Sequence, residues 1–157
     1  MRTSITAVWT AVILAGSVGA TSPVAAFSGA SINPPADQLQ FYQNKDGLTF
    51  ANAWGDPDKV AHSNYIQLSA HTASPLHVHT SSYSGVVISG TVSNGRQAQP
   101  DRSLEIGSYW FQKGGEPHVT KCQSATESLI FVTSPGRFDI KPVVIPTKEA
   151  GPEMQKQ

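Results

Sequence analysis

Pro75-Leu76-His77-Val78-His79 and, further on, Gly114-Gly115-Glu116-Pro117-His118 carry three of the five histidines of this 157-residue chain. In an extended strand, residues i and i+2 project from the same face. His77 and His79 would therefore hold their imidazoles side by side. That placement suits two ligands of one metal ion, with metal–nitrogen distances of ~2.0–2.1 Å for zinc. A solvated or structural pair of histidines is the alternative that H-x-H leaves open by itself. Of the other two histidines, His71 falls in an expected turn and should be exposed. His62 lies in a polar stretch ahead of a strand and takes no role.

Outward from this pair, the chain reads as short strands separated by Gly, Pro, Asn and Asp. They are Leu48 to Trp54, Asn64 to Ala70, Leu76 to His79, Gly85 to Val92, Leu104 to Ile106, Tyr109 to Lys113, Ser128 to Thr133 and Phe138 to Ile145. Asn94-Gly95 predicts a hairpin or a tight loop. Pro142 puts the last strand at an edge, because proline cannot donate to a ladder. No long run has helical period and proper caps. Many short strands with frequent turn signals predict an all-β sandwich or barrel. Periodicity does not separate a jelly roll from an immunoglobulin-like sandwich.

The spacing of the histidines and glycines goes further, because it resembles the two motifs of the cupin superfamily (RmlC-like barrels). The first, G-x5-H-x-H-x(3,4)-E-x6-G, sets onto His77, His79 and Gly90, with His71 at the opening glycine and Tyr83 where the family has glutamate. The second, G-x5-P-x-G-x2-H-x3-N, sets onto Gly107, Gly115 and His118, with Lys113 for the proline and Cys122 for the asparagine. The 16 residues between Gly90 and Gly107 make a short inter-motif loop. Trp54-Gly55-Asp56-Pro57, Pro75 to His79 and Gly85 to Thr91 also look like the uncharacterised DUF4437-like cupins. The resemblance implies a single jelly-roll-like β-barrel and one divalent ion (iron, manganese, nickel or zinc) on His77, His79 and His118.

The departures from the motifs bear on chemistry. Three neutral imidazoles leave a divalent ion its full charge, where a glutamate ligand would cancel one unit. Such a site favours an anionic ligand. Tyr83 is a candidate fourth ligand as phenolate, an acid/base group, or a wall of the cavity. An ordinary phenol pKa of ~10 stands against the first of these. Glu116, two residues before His118, is an alternative carboxylate. Trp110 and Phe111 are candidate pocket-lining residues, of which strand alternation sends one inward and one outward. Gln67, Ser69, Ser89 and Glu127 are candidate inward polar groups. Cys122, the single cysteine, reads as a buried, inert thiol.

The ends differ from the middle. Arg2 is followed by an uncharged, mostly apolar run from Ile5 to Ala20 and by small residues that offer cleavage after Ala20 or after Ala26. This pattern is that of a secretory signal peptide, and it is too short and too Gly-broken for a spanning helix. The expected layout is a signal peptide over 1–26, a flexible arm over 27–45, the barrel over 46–145 and a tail over 146–157. The expected location is periplasmic or secreted. The leader holds one of eleven basic residues and none of eleven acidic ones, so the mature chain carries a net charge of −1. Nothing there suits nucleic acid or lipid, and no stretch after processing would span a membrane. The partner is a small molecule, with a homodimer implied by the family resemblance.

Three functions fit this sequence. One is a metal-dependent enzyme, either a dioxygenase-like cupin or an isomerase or lyase. Another is a non-catalytic cupin that binds or senses a metabolite or metal. The third is a barrel that has lost its metal. No G-x-S-x-G elbow, phosphate-binding loop or C-x2-C pair supports another chemistry.

Overall fold

The computed structural model describes residues 31–96 and 102–144, which from Ile32 onward belong to one compact unit, Ile32–Gln157. The expected signal peptide and the tail beyond 144 lie outside the described residues. The described residues form ten strands: β1 (Tyr42–Gln43), β2 (Thr49–Gly55), β3 (His62–Leu68), β4 (His77–Val78), β5 (Tyr83–Ser89), β6 (Val92–Gly95), β7 (Tyr109–Gln112), β8 (Val119–Cys122), β9 (Ser128–Ser134) and β10 (Lys141–Pro142). The one helical element among the described residues is a 3-10 turn over Ala36–Gln38. Among the described residues, no helix is long and apolar enough to cross a membrane.

Six strands form an antiparallel sheet in the order β1-β2-β3-β9-β5-β7. The others form two ribbons, β10-β4 and β6-β8. Bridges at His77↔His118 and Ala73↔Lys121 join β4 and its lead-in to β8, so the ribbons make a second antiparallel layer, β10-β4-β8-β6. Two sheets closed over one core are what the alternating short strands predicted. Burial follows the period of two. His62, Asn64 and Ile66 of β3 point inward, as do Tyr83, Gly85 and Val87 of β5 and Ile130 and Val132 of β9. Phe50, Ile66, Val87, Val92, Ile130 and Val132 make the heart of the core.

Two glycines show why the strands end and pack where they do. At Gly85 a Cβ would fall 2.1 Å from the Trp110 ring, so the indole occupies the space that a side chain would take. Gly90 has φ 78°, and a Cβ there would lie 2.2 Å from Ser128 Oγ. The chain turns from β5 into β6 at this left-handed residue, which an L side chain adopts only at a cost.

One expectation needs correction. Asn94-Gly95 is not a turn; both residues lie in β6 and pair with Thr120 and Val119. The turn sits earlier, at Gly90, and Asn94 has inward hydrogen-bond partners that hold it extended. The stretch expected to be a flexible arm contributes β1, whose Tyr42 hydroxyl donates to Asn52 Oδ1 (2.8 Å). Strand β8 went unrecognised in the sequence because Val119-Thr120-Lys121-Cys122 carries only a weak alternation. Pro142 does lie in an edge strand, in β10 beside His77.

His62 is fully buried, edge-on to Phe138 (ring centroids 6.1 Å apart), with Nδ1 donating to the Val60 carbonyl (3.0 Å). Its Nε2 is buried without a hydrogen-bond partner. Burial pushes its pKa below the ordinary 6.5, against the pull of the Val60 and Gly136 carbonyls. The unfolded chain therefore binds a proton at this position before the folded one does, and stability falls as pH drops below about 6.5. Urea unfolding of the wild type and His62→Gln across pH 7.5 to 5 should show the wild type losing more stability than the variant. Parallel curves would mean that His62 contributes nothing to acid sensitivity.

Candidate metal centre

The site is built on one backbone pair. His77 N–H donates to the His118 carbonyl (3.1 Å) and His118 N–H to the His77 carbonyl (3.0 Å). Two residues that exchange both hydrogen bonds stand directly opposite each other in an antiparallel ladder, with side chains on the same face. His79 follows His77 by two residues and returns to that face. The Gly115 N–H donates to the His79 carbonyl (2.8 Å), which docks the loop before His118 onto the loop after β4. All three histidines are buried, and their candidate ligand atoms lie within 4.8 Å of one another.

Each ring is oriented through its other nitrogen. His77 Nδ1 lies 2.8 Å from the Pro75 carbonyl, His79 Nδ1 2.7 Å from that of Asp139, and His118 Nδ1 3.1 Å from that of Glu116. A carbonyl only accepts, so each Nδ1 carries the hydrogen and each neutral ring presents an Nε2 lone pair. His77 Nε2 and His79 Nε2 are 3.1 Å apart. Two lone pairs at that distance repel unless a proton or a cation lies between them. A proton is disfavoured: burial, with the neighbouring histidines adding to it, pushes His79 down to about 3. Burial likewise lowers His118 to about 4, and it lowers His77. A metal cation fits the donor set. Nitrogens 3.1 Å apart on bonds of ~2.0–2.1 Å would subtend about 100° at one ion. Outer partners on the far nitrogen are the usual support of a ligating histidine.

Tyr83 stands next to this cluster, with its hydroxyl 3.4 Å from His118 Nε2 and 3.3 Å from Asn94 Oδ1. Burial pushes the phenol up to about 12, although Trp110 and Thr120 beside it work the other way. In this structure it is a neutral hydroxyl. Asn94 is fixed in turn, since its Oδ1 accepts from Thr120 Oγ1 (2.7 Å) and its Nδ2 donates to Gln112 Oε1 (3.0 Å). Gln112 Nε2 then donates to the Glu116 carbonyl (3.2 Å), the same oxygen that orients His118. The sequence offered no reason to select Asn94, Gln112 or Thr120. Asp139 was also missed. Partial burial would raise its carboxyl, but hydrogen bonds from Thr80 and Lys141 hold it at about 2. This carboxylate ties residue 80 to residue 139, and so fixes the carbonyl that orients His79.

Other candidates fall elsewhere. The Glu116 carboxylate pairs with Arg96 (2.9 Å), so it does not replace the missing glutamate. Neither Trp110 nor Phe111 lines the cavity. Strand alternation turns Phe111 outward to 61% exposure, and Trp110 packs behind Tyr83 in the core (ring centroids 6.4 Å apart). Gln67 and Ser69 do line it, Gln67 while donating to Glu127, and Ser89 is exposed. His71 is exposed in a left-handed turn (φ 55°). Cys122 is buried, with Sγ 3.1 Å from Ser128 Oγ.

A cavity of about 360 Å³ opens onto His77, His79 and Tyr83. Its inner wall is apolar, with Ile66, Ile130, Val132 and Phe138, and its other end is polar, with Gln43, Asp46 and Thr72 among the lining residues.

Comparison with known proteins places this geometry. Residues 44–151 match a family model described as a domain of unknown function, DUF4437. Similar solved structures include the polyketide cyclase RemF from Streptomyces resistomycificus, with 16% identity, a TM-score of 0.59, and 74% of this chain and 87% of that one covered. An RmlC-like cupin from Shewanella frigidimarina is 18% identical with a TM-score of 0.54, over 69% of this chain and 94% of that one. KdgF from Halomonas sp. is 16% identical with a TM-score of 0.54, over 66% and 94%. At these identities the likeness shows the fold, which is the cupin barrel. No curated protein sequence matches the chain.

The donor set predicts about one equivalent of divalent metal per chain, read by elemental analysis of protein purified without a tag or chelator. His77→Ala, His79→Ala and His118→Ala should each reduce it to a small fraction. Tyr83→Phe and Glu116→Gln should keep it. An empty site in Tyr83→Phe would make the phenol a ligand.

Proposed function

The chain belongs to the DUF4437 family, and we propose that it is an exported cupin that holds one divalent ion on His77, His79 and His118 and acts with it on a small organic substrate. The observation that carries this reading is the convergence of three buried Nε2 lone pairs, each set by a carbonyl on the far nitrogen, beside a cavity that His77 and His79 line. With no carboxylate in the set, the ion keeps its full charge and favours an anionic oxygen ligand. Bound there, iron, manganese or nickel would supply chelation of the substrate and a route for electrons to dioxygen, and zinc would supply Lewis-acid polarisation.

The chain's own groups do the rest. Tyr83 is a hydrogen-bond donor at neutral pH, and its hydroxyl reaches both Asn94 and the metal-facing edge of His118. It can turn from Asn94 to an oxygen of the substrate and stabilise charge that develops on it. Ile66, Ile130, Val132 and Phe138 give the cavity an apolar wall. Beyond His77 and His79, the lining among the described residues offers no side chain suited to take a proton near neutrality at the histidine end: Tyr83 lies far above that range and Asp46 belongs to the polar end. This favours metal-centred oxygenase chemistry over hydrolysis that depends on a general base. The same observation supports a second reading, a non-catalytic metal-dependent binder in the periplasm. Export rests on the leader-like run Ile5 to Ala20. Mature protein recovered outside the cytoplasm should begin at Thr21 or Phe27.

Oxygen-uptake and product screens with iron-, manganese-, nickel- and zinc-loaded protein test the enzyme. Turnover is expected with a redox-active ion, and Tyr83→Phe should lower kcat by about 10²–10³-fold with metal content unchanged. Saturable ligand binding without product under every metal would leave the binder and remove the enzyme.

A further inference from the structure

The cavity lining also says what kind of molecule belongs there. Its walls between the metal end and the polar end come from Leu48, Ile66, Leu68, Ile130, Val132 and Ile140, joined by the ring of Phe138. These side chains have no hydrogen-bonding groups, so a hydroxyl lying against them would lose its water without replacement; the polar groups of Thr49, Gln67, Ser69, Ser74 and Thr120 line the remainder. Among the described residues, no lysine or arginine lines the cavity. Its one charged lining group other than the histidines is the carboxylate of Asp46. The nearby Lys45 is engaged by two acids, Asp46 (3.5 Å) and Asp58 (3.3 Å), which leaves that corner net negative. Gln67, another lining residue, is held by the Glu127 carboxylate. A second anionic group on the ligand would therefore meet repulsion from the Asp46 carboxylate and no cationic lining group. The volume of about 360 Å³ is room for on the order of 12 water-sized heavy atoms at ~30 Å³ each.

We propose that the cavity takes a single-headed amphiphile: one anionic, oxygen-chelating head at the three histidines, an unbranched or compact apolar body of roughly eight carbons along the Ile66–Ile130–Phe138 wall, and no second charge. This inference rests on the metal-site reading above.

The test uses the zinc-loaded full-length mature protein and a series of hydroxamates, which share one chelating head. Calorimetry with acetohydroxamate, hexanohydroxamate and octanohydroxamate should show affinity rising about fourfold per added methylene, the value of burying one CH₂. Suberic monohydroxamate has the octanoyl length but ends in a carboxylate. It should bind at least tenfold more weakly than octanohydroxamate, and Asp46→Asn should narrow that gap. Leu68→Ser, at a half-buried wall position, should weaken octanohydroxamate and spare acetohydroxamate. Equal affinity along the series, or a carboxylate-ended ligand that binds as tightly as the methyl-ended one, would overturn this inference and leave the metal site standing. Protein that takes up no zinc would overturn the metal-site reading and this inference with it, whereas zinc-loaded protein that binds no hydroxamate at all would overturn this inference alone.

Discussion

Everything at the site follows from the pair of backbone hydrogen bonds between His77 and His118. Forty-one residues apart in the chain, they stand opposite each other because β4 and the entry to β8 run antiparallel with this register. A slip of one residue would turn one of the two imidazoles to the other face. The register is held from both sides, by β10 against His77 and by Ala73 against Lys121. Gly115 binds His79 from the loop. The ligand positions are therefore a property of strand pairing, with little left to side-chain flexibility.

Burial completes what the register begins. The three rings are kept neutral by desolvation and are turned by three carbonyls, so that the unprotonated nitrogen of each faces inward. The tyrosine that replaces the family's glutamate is kept neutral by the same burial. One physical term thus does two jobs: it frees lone pairs on the histidines and keeps a proton on the phenol. The Asn94–Gln112–Glu116 chain joins the two, since it ends on the carbonyl that orients His118 and begins on the amide that holds Tyr83.

The barrel and the trio of histidines were legible because both depend on spacing. Short runs bounded by Gly, Pro, Asn and Asp marked β2, β3, β5, β7 and β9, and the offsets of His77, His79, Gly90, Gly107, Gly115 and His118 marked the motifs. What was not legible depends on where the chain returns in space. Asn94 followed by glycine has the composition of a turn, and only its buried partners Thr120 and Gln112 make it a strand residue. Asp139 acts through a carbonyl, which every residue has, and no side-chain pattern could announce it. Trp110 and Phe111 were known to alternate. Which of them pointed inward required the pairing Gly85↔Trp110, where the missing Cβ makes room for the indole.

Phe138 touches four rings at once: Phe50 at 5.7 Å, His62 at 6.1 Å, His79 at 4.4 Å and Tyr83 at 5.5 Å between centroids. It is a core residue, 6% exposed, and also a wall of the cavity. Mutational paths that reshape this wall must therefore pass through the folding core. Changes of ligand preference at the inner end will be bound up with loss of stability, while the polar end, built on β1 and the following turn, is free to diversify. Variation among relatives should accordingly be uneven, with a slowly changing floor beneath a rapidly changing rim.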